Sequence, residues 1–156
     1  MLLPDFPLVS NICEAINHEM AGMATGGFST LDDSIAGYHS FGMELLHLLP
    51  MILGSMALPF YVKVIINKKY DLIWKDLQTI SLIILFIVGS IVLSVMLNFS
   101  GKISEPFRVG LFQFVSALST TGWQTSDAHQ WDSASVFFIV MSGMVVGSAF
   151  GATVGG

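Results

Sequence analysis

Charge is scarce in this chain. Of its 156 residues only 11% are Asp, Glu, Lys or Arg, against roughly 25% in an average soluble domain. Bases are scarcest: six Lys and Arg stand against eleven Asp and Glu, which leaves no basic patch for nucleic acid. The one cysteine, Cys13, excludes an intrachain disulfide framework and any CxxC metal site. The start, Met1-Leu2-Leu3-Pro4-Asp5, lacks the basic region of a secretory leader and meets proline at once. No Walker motif, dinucleotide fingerprint or nucleophile elbow occurs, so an ATP-driven pump is not supported. Apolar residues are abundant instead: 53% of the chain is hydrophobic and the mean hydropathy is +0.74. That balance excludes a disordered tail and fits a soluble enzyme poorly. What remains is an integral membrane protein.

Three long, strongly apolar stretches carry no Asp, Glu, Lys or Arg: 45–62, 77–101 and 133–156. A bilayer core of about 30 Å needs roughly 20 apolar residues as helix. The second stretch meets that length throughout. The third turns Gly-rich near its end, and the first carries Pro50 and Pro59, which membrane helices tolerate when neighbours satisfy the freed backbone groups. Four of the six bases, Lys63, Lys68, Lys69 and Lys75, sit in the connection 63–76. The positive-inside rule places that connection in the cytoplasm. The remaining segments then face outward with nine acids and two bases, Lys102 and Arg108. Such an acidic face raises the local cation concentration, or simply keeps the loops soluble.

The chain repeats itself. At an offset of 95, ATGGFSTLD (24–32) aligns with STTGWQTSD (119–127). Thr25 meets Thr120, Gly27 meets Gly122, Thr30 meets Thr125, Asp32 meets Asp127, and Phe28 meets Trp123. Upstream, Ile12, Ile16, Met20 and Met23 meet Phe107, Leu111, Val115 and Leu118, a spacing of one helical face. Each copy reads as a short helix entering a Thr- and Gly-rich loop. About 13 residues at 1.5 Å each give roughly 20 Å, too short to cross a bilayer. Each copy must therefore enter and leave from the outer side, as a re-entrant hairpin buried in protein or lining a watery cavity. Its helix C-terminus, partly negative, then points at the membrane middle and favours a cation.

The loops suit that cation. In Thr25-Gly26-Gly27-Phe28 and Thr120-Thr121-Gly122-Trp123, glycine permits backbone angles that turn successive carbonyls toward one axis. Such carbonyls can replace the hydration shell of an alkali cation, with the Thr hydroxyls adding oxygen ligands and the aromatic wedging the loop. The plainer alternative is a pair of ordinary Gly-rich turns.

With those residues in view, the chain resembles the Trk/Ktr/HKT cation transporter family, closest to its TrkH branch. MATGGFSTLDDS and SALSTTGWQTSD look like that family's pore loops. The resemblance implies an all-α integral membrane fold with no enzymatic role, built from repeats of outer helix, re-entrant pore helix with filter loop, and inner helix. Residues 1–73 would hold a pore helix and filter (8–34) and an inner helix (41–67), ending in a cytoplasmic loop. Residues 74–156 would hold an outer helix (74–99), a pore helix and filter (105–127) and an inner helix (134–156). It implies potassium uptake, with potassium as substrate and no cofactor or transition metal in the chain. It further implies a multi-pass protein in the lipid bilayer of a bacterial or archaeal cytoplasmic membrane, assembled as a homodimer with a TrkA-type nucleotide-binding regulatory subunit. Four repeats close the family's pore and this chain carries less than two. A fragment of a longer chain, a truncated non-conducting product, or a membrane assembly protein are the alternatives that follow.

The family also places a Gly-rich gating loop under the filter, and 147–156 is similar to it, with Gly147, Ser148, Gly151, Thr153 and Gly155 as gate residues. From spacing alone, Gly143, Gly147, Gly151 and Gly155 form equally well one close-packing helix face. Other constellations are weaker. His18-Glu19-Met20-Ala21-Gly22 is similar to HExxH, but Gly22 stands where a zinc protease needs its second histidine. His47 lies within a span, where an ionisable group is a functional candidate or a hydrogen-bonded structural residue. The nine methionines read as bundle filler.

Overall fold

A computed structural model describes residues 8–68, 70–71, 75–144, 146, 148–149 and 151–153. Among the described residues six α-helices follow one another: α1 (Leu8–Met23), α2 (Phe41–Gly54), α3 (Leu58–Tyr61), α4 (Leu77–Ser100), α5 (Pro106–Leu118) and α6 (Ser133–Phe138). Wider π turns extend α3 through Val62–Ile66 and α6 through Ile139–Met144. Short 3-10 turns at Ser34–Tyr38 and Ala128–Gln130 follow the two Gly-rich loops.

The 24-residue α4 is long and apolar enough to cross a membrane. Asp76 starts it by accepting from the backbone N–H and the hydroxyl of Thr79 at 2.9 and 2.7 Å. Those bonds hold its carboxyl below the usual carboxylate range. Gly101, at a left-handed φ of 66°, ends it. One face of α4 buries Phe86, Gly89, Ser90, Leu93, Ser94 and Leu97. Gly89 and Ser94 bring α5 close. A Cβ on Gly89 would strike the Phe114 ring at 2.0 Å, and one on Gly110 would meet Ser94 Oγ at 2.2 Å. The opposite face exposes Ile84, Ile87, Val88 and Ile91, a surface suited to lipid or further helices.

The stretch expected as a single inner helix over 41–67 is bent by 91° between α2 and α3. The bend falls at 55–57, not at Pro50, which stays inside α2. Pro59 has no N–H to offer the carbonyl four residues back, which is that of Ser55. The backbone N–H of Ala149 reaches that carbonyl instead, at 3.4 Å, and the N–H of Leu58 donates to Gly151 O at 2.9 Å. A distant segment thus satisfies the break. Arg108 of α5 clamps α2 through both oxygens of buried Glu44, at 2.7 and 2.9 Å. The boundary between 1–73 and 74–156 lies outside the described residues.

Candidate functional site

The two Gly-rich loops have the same backbone. Thr25 and Thr120 adopt left-handed φ angles of 51° and 54°, and Gly27 and Gly122 adopt 69° and 83°. The preceding helices end identically. Ala24 N–H donates to Met20 O and Ser119 N–H to Val115 O, both at 2.9 Å. Thr25 N–H reaches Gly22 O and Thr120 N–H reaches Ala117 O. Gly26 N–H reaches Ala21 O and Thr121 N–H reaches Ser116 O. This pairing is a helix stop that ordinarily places glycine at the left-handed position. A β-branched threonine there is a true outlier, and strain of that kind gathers at functional sites.

The loops lie side by side. A Cβ on Gly27 would sit 1.9 Å from the Thr121 carbonyl oxygen, so only glycine permits the approach. Trp123 donates its indole N–H to Phe28 O at 3.1 Å, joining the two loops at equivalent positions. Its own carbonyl accepts from the Ser116 hydroxyl at 2.7 Å. Trp123 packs across copies: a Cβ on Gly22 of the first copy would meet its ring at 2.8 Å. Phe28 is 81% exposed within this chain, while Trp123 is 1% exposed.

Beneath the loops lies the Gly-rich segment. Ser148 donates to Leu118 O at 2.7 Å, and Thr153 donates to Met23 O at 3.0 Å and Gly54 O at 2.9 Å. Met23 and Leu118 are equivalent under the offset of 95. One hydroxyl therefore caps the end of each short helix. Gly143 follows the packing alternative, since a Cβ there would meet Ala117 Cβ at 2.7 Å. Gly151 has a left-handed φ of 77°, which breaks helical geometry. Gly147 and Gly155 lie outside the described residues.

The TrkH family model, described as a cation transport protein, matches residues 6–156. The chain belongs to the TrkH family. An uncharacterised cation transporter of Methanocaldococcus jannaschii is 30% identical over 143 residues, covering 92% of this chain and 28% of that protein. The Trk system potassium uptake protein TrkH of Halomonas elongata is 26% identical, covering 94% of this chain and 30% of that protein. The fold is that of the TrkH potassium transporter crystal structure from Vibrio parahaemolyticus. The TM-score is 0.82 at 24% identity, over 92% of this chain and 31% of that one. This TrkH-family chain thus spans under a third of the length of these relatives, which are named as transporters rather than enzymes.

A buried polar cluster behind the first loop escapes sequence reading. Glu14 accepts from the Tyr38 and Thr30 hydroxyls at 2.7 and 3.0 Å. Burial and that carboxylate raise the Tyr38 phenol above its usual range. His18 and His47 are 1% and 2% exposed, with ring centres 5.4 Å apart. Only the HExxH-like string and the lone intramembrane histidine signalled them, and neither signal says that the two meet.

Proposed function

We propose that this chain supplies two adjoining repeats of a potassium uptake pore in a prokaryotic cytoplasmic membrane. Thr25–Phe28 and Thr120–Trp123 each form one wall of its selectivity filter. The observation that carries this reading is the matched pair of left-handed angles at Thr25/Gly27 and Thr120/Gly122, with the loops in backbone contact. Alternating angles turn carbonyl oxygens toward a shared axis, where they replace the water around a dehydrated cation. The carbonyl ends of α1 and α5 add partial negative charge at the inner end. The membrane potential drives entry by about 2.3 kcal/mol per elementary charge per 100 mV, so uptake needs no ATPase in this chain.

The segment around Ser148, Gly151 and Thr153 is the gate. It lies against the ends of both short helices and must withdraw for a cation to pass inward. Multi-pass insertion, further repeats, a second copy and a cytoplasmic TrkA-type nucleotide-binding partner complete the assembly, as family membership suggests. The test is potassium uptake by cells stripped of their own transporters. The complete assembly containing this segment restores growth at low potassium, and a Gly27→Ala version does not. Equal growth of the two would sink the filter assignment.

A further inference from the structure

Each short helix is tied to the segment that leaves its own loop, but by a different set of bonds. In the first copy buried Glu14 accepts from the Thr30 hydroxyl at 3.0 Å and from the Tyr38 hydroxyl at 2.7 Å. Both bonds end on the same oxygen, Oε1. His18, one turn along α1, meets the Ser29 hydroxyl at 3.1 Å. The offset of 95 puts Val109 in the place of Glu14 and Thr125 in the place of Thr30. A valine side chain accepts no bond, and the buried Thr125 Oγ1 has no hydrogen-bond partner among the described residues. The second copy is held elsewhere. Gln113 donates its amide to the Ser126 carbonyl at 3.0 Å, and Ser116 bonds the Trp123 carbonyl, where the first copy has Ala21.

Three segments meet at the Glu14 oxygen. Helix α1 carries it, Thr30 lies two residues beyond Phe28, and Tyr38 ends the 3-10 turn Ser34–Tyr38. That turn also grips the second loop. Ala36 N–H donates to Gln124 O at 3.0 Å, and Gln124 N–H donates to the Ser34 hydroxyl at 3.1 Å. Gln124 directly follows Trp123. One side-chain oxygen therefore sets the exit of the first loop and, through the turn, its register against the second. We propose that Glu14 is a positioning residue for the filter, acting through the two hydrogen bonds on its Oε1 and not through its charge. This rests on the pore reading above.

A cage of carbonyls tells one alkali cation from another through the number and placement of its oxygens. Such placement lasts only where the surrounding side chains are themselves locked by packing and further hydrogen bonds. The Thr25–Phe28 carbonyls lie between the end of α1 and Thr30, so slack at Thr30 becomes slack in the loop. The second copy reaches the same backbone with valine in place of the carboxyl. The carboxyl is therefore not needed to form the loop, and what it adds is resistance to leaving that conformation. The two threonines should respond unequally to the same change. A buried bond broken at Thr30 strands its partner, whereas a hydroxyl without a partner, as at Thr125, gives way to a methyl group at almost no loss.

The experiment is the sodium-to-potassium permeability ratio, with rubidium uptake as the measure of flux, in vesicles holding the complete assembly. Thr30→Val raises the ratio about fivefold, the equivalent of one ordinary hydrogen bond, and Thr125→Val leaves it at the wild-type value. Glu14→Val, which copies the second repeat, raises it at least as far as Thr30→Val. Glu14→Gln keeps a carbonyl oxygen able to accept both bonds and holds the wild-type ratio. Equal ratios in the two threonine variants overturn the inference and leave the pore reading standing. A Glu14→Gln protein that shifts as far as Glu14→Val also overturns it, because the charge would then carry the effect. Should Glu14→Val fail to reach the membrane, the threonine pair decides alone. A wild-type assembly that takes up no rubidium, or admits sodium and potassium alike, overturns the inference and the pore reading together.

Discussion

The two Gly-rich loops share a backbone and differ in what surrounds them. Thr25 and Thr120 hold nearly the same left-handed angle, yet Phe28 is exposed and its equivalent Trp123 is buried. Gly27 presses on the Thr121 carbonyl, whereas a Cβ on Gly122 would meet nothing within 4 Å. Of the apolar face shared by the short helices, Met20 and Met23 are exposed while Val115 and Leu118 are buried. The loop conformation therefore does not depend on its packing. The short helix and its T-x-G stop produce it in both settings, and packing decides only how each copy is held.

The sharpest way to break this comparison is a Cβ at the two glycines. Gly27→Ala places a methyl 1.9 Å from a backbone oxygen at a φ that side chains rarely adopt. It should abolish potassium uptake. Gly122→Ser carries the strain of φ but meets no atom of this chain. It should insert and raise the sodium-to-potassium permeability ratio, and an unchanged ratio in a folded, inserted protein would remove Gly122 from the filter.

The aromatics come next. Trp123→Ala should cost about 3–5 kcal/mol, the usual range for an emptied aromatic site, while Phe28→Ala should stay within about 0.5 kcal/mol. Thermal unfolding of the purified protein reads both, and equal losses would erase the asymmetry. A smaller effect is expected in the segment beneath the loops, where the copies are treated alike. Ser148→Ala and Thr153→Val each remove a hydroxyl from an equivalent helix end. Each should raise flux by about fivefold, one hydrogen bond's worth, without altering selectivity. A drop in flux from either variant would argue that these hydroxyls hold the pore together and do not close it.

The smallest effect separates the starts of α2 and α6. Asp132 caps α6 by accepting from Ser135 N–H and its hydroxyl, at 3.0 and 2.7 Å, which holds its carboxyl below the ordinary range. Ser40 before α2 makes no side-chain cap bond. Asp132→Ala should therefore cost about 0.5–1 kcal/mol and Ser40→Ala almost nothing. Because the folded carboxyl is the stronger acid, its contribution is present above the unfolded value of about 4 and lost as pH falls through the depressed one. Unfolding curves at neutral and acid pH should show the Asp132→Ala difference shrinking in acid.

What could be read in advance was short-range. The offset of 95, the two half-helices and the T-x-G stops need only local spacing, and α4 announces itself by length and hydropathy. The 91° bend did not, because Pro59 merely frees the Ser55 carbonyl and the group that takes it is at Ala149. The Glu14–Tyr38–His18 cluster joins residues up to 24 apart, and the Arg108–Glu44 clamp joins residues 64 apart. Each of these side chains has several ordinary roles, and only the packing of α1, α2 and α5 selects one. The loop pattern also could not tell which aromatic would be buried, since Phe28 and Trp123 sit in the same motif.

The bond between Ser55 and Ala149 has a consequence for biogenesis. A ribosome releases the bend between α2 and α3 long before it has made the residue that completes it. Until Ala149 emerges, the Ser55 carbonyl must keep water or a transient partner, because a bare carbonyl in hydrocarbon is costly. The Met23 carbonyl waits likewise for the Thr153 hydroxyl. The first half of the chain can therefore enter the membrane early but reaches its final shape only after the second half has arrived, so maturation of the segment runs from its end back to its beginning.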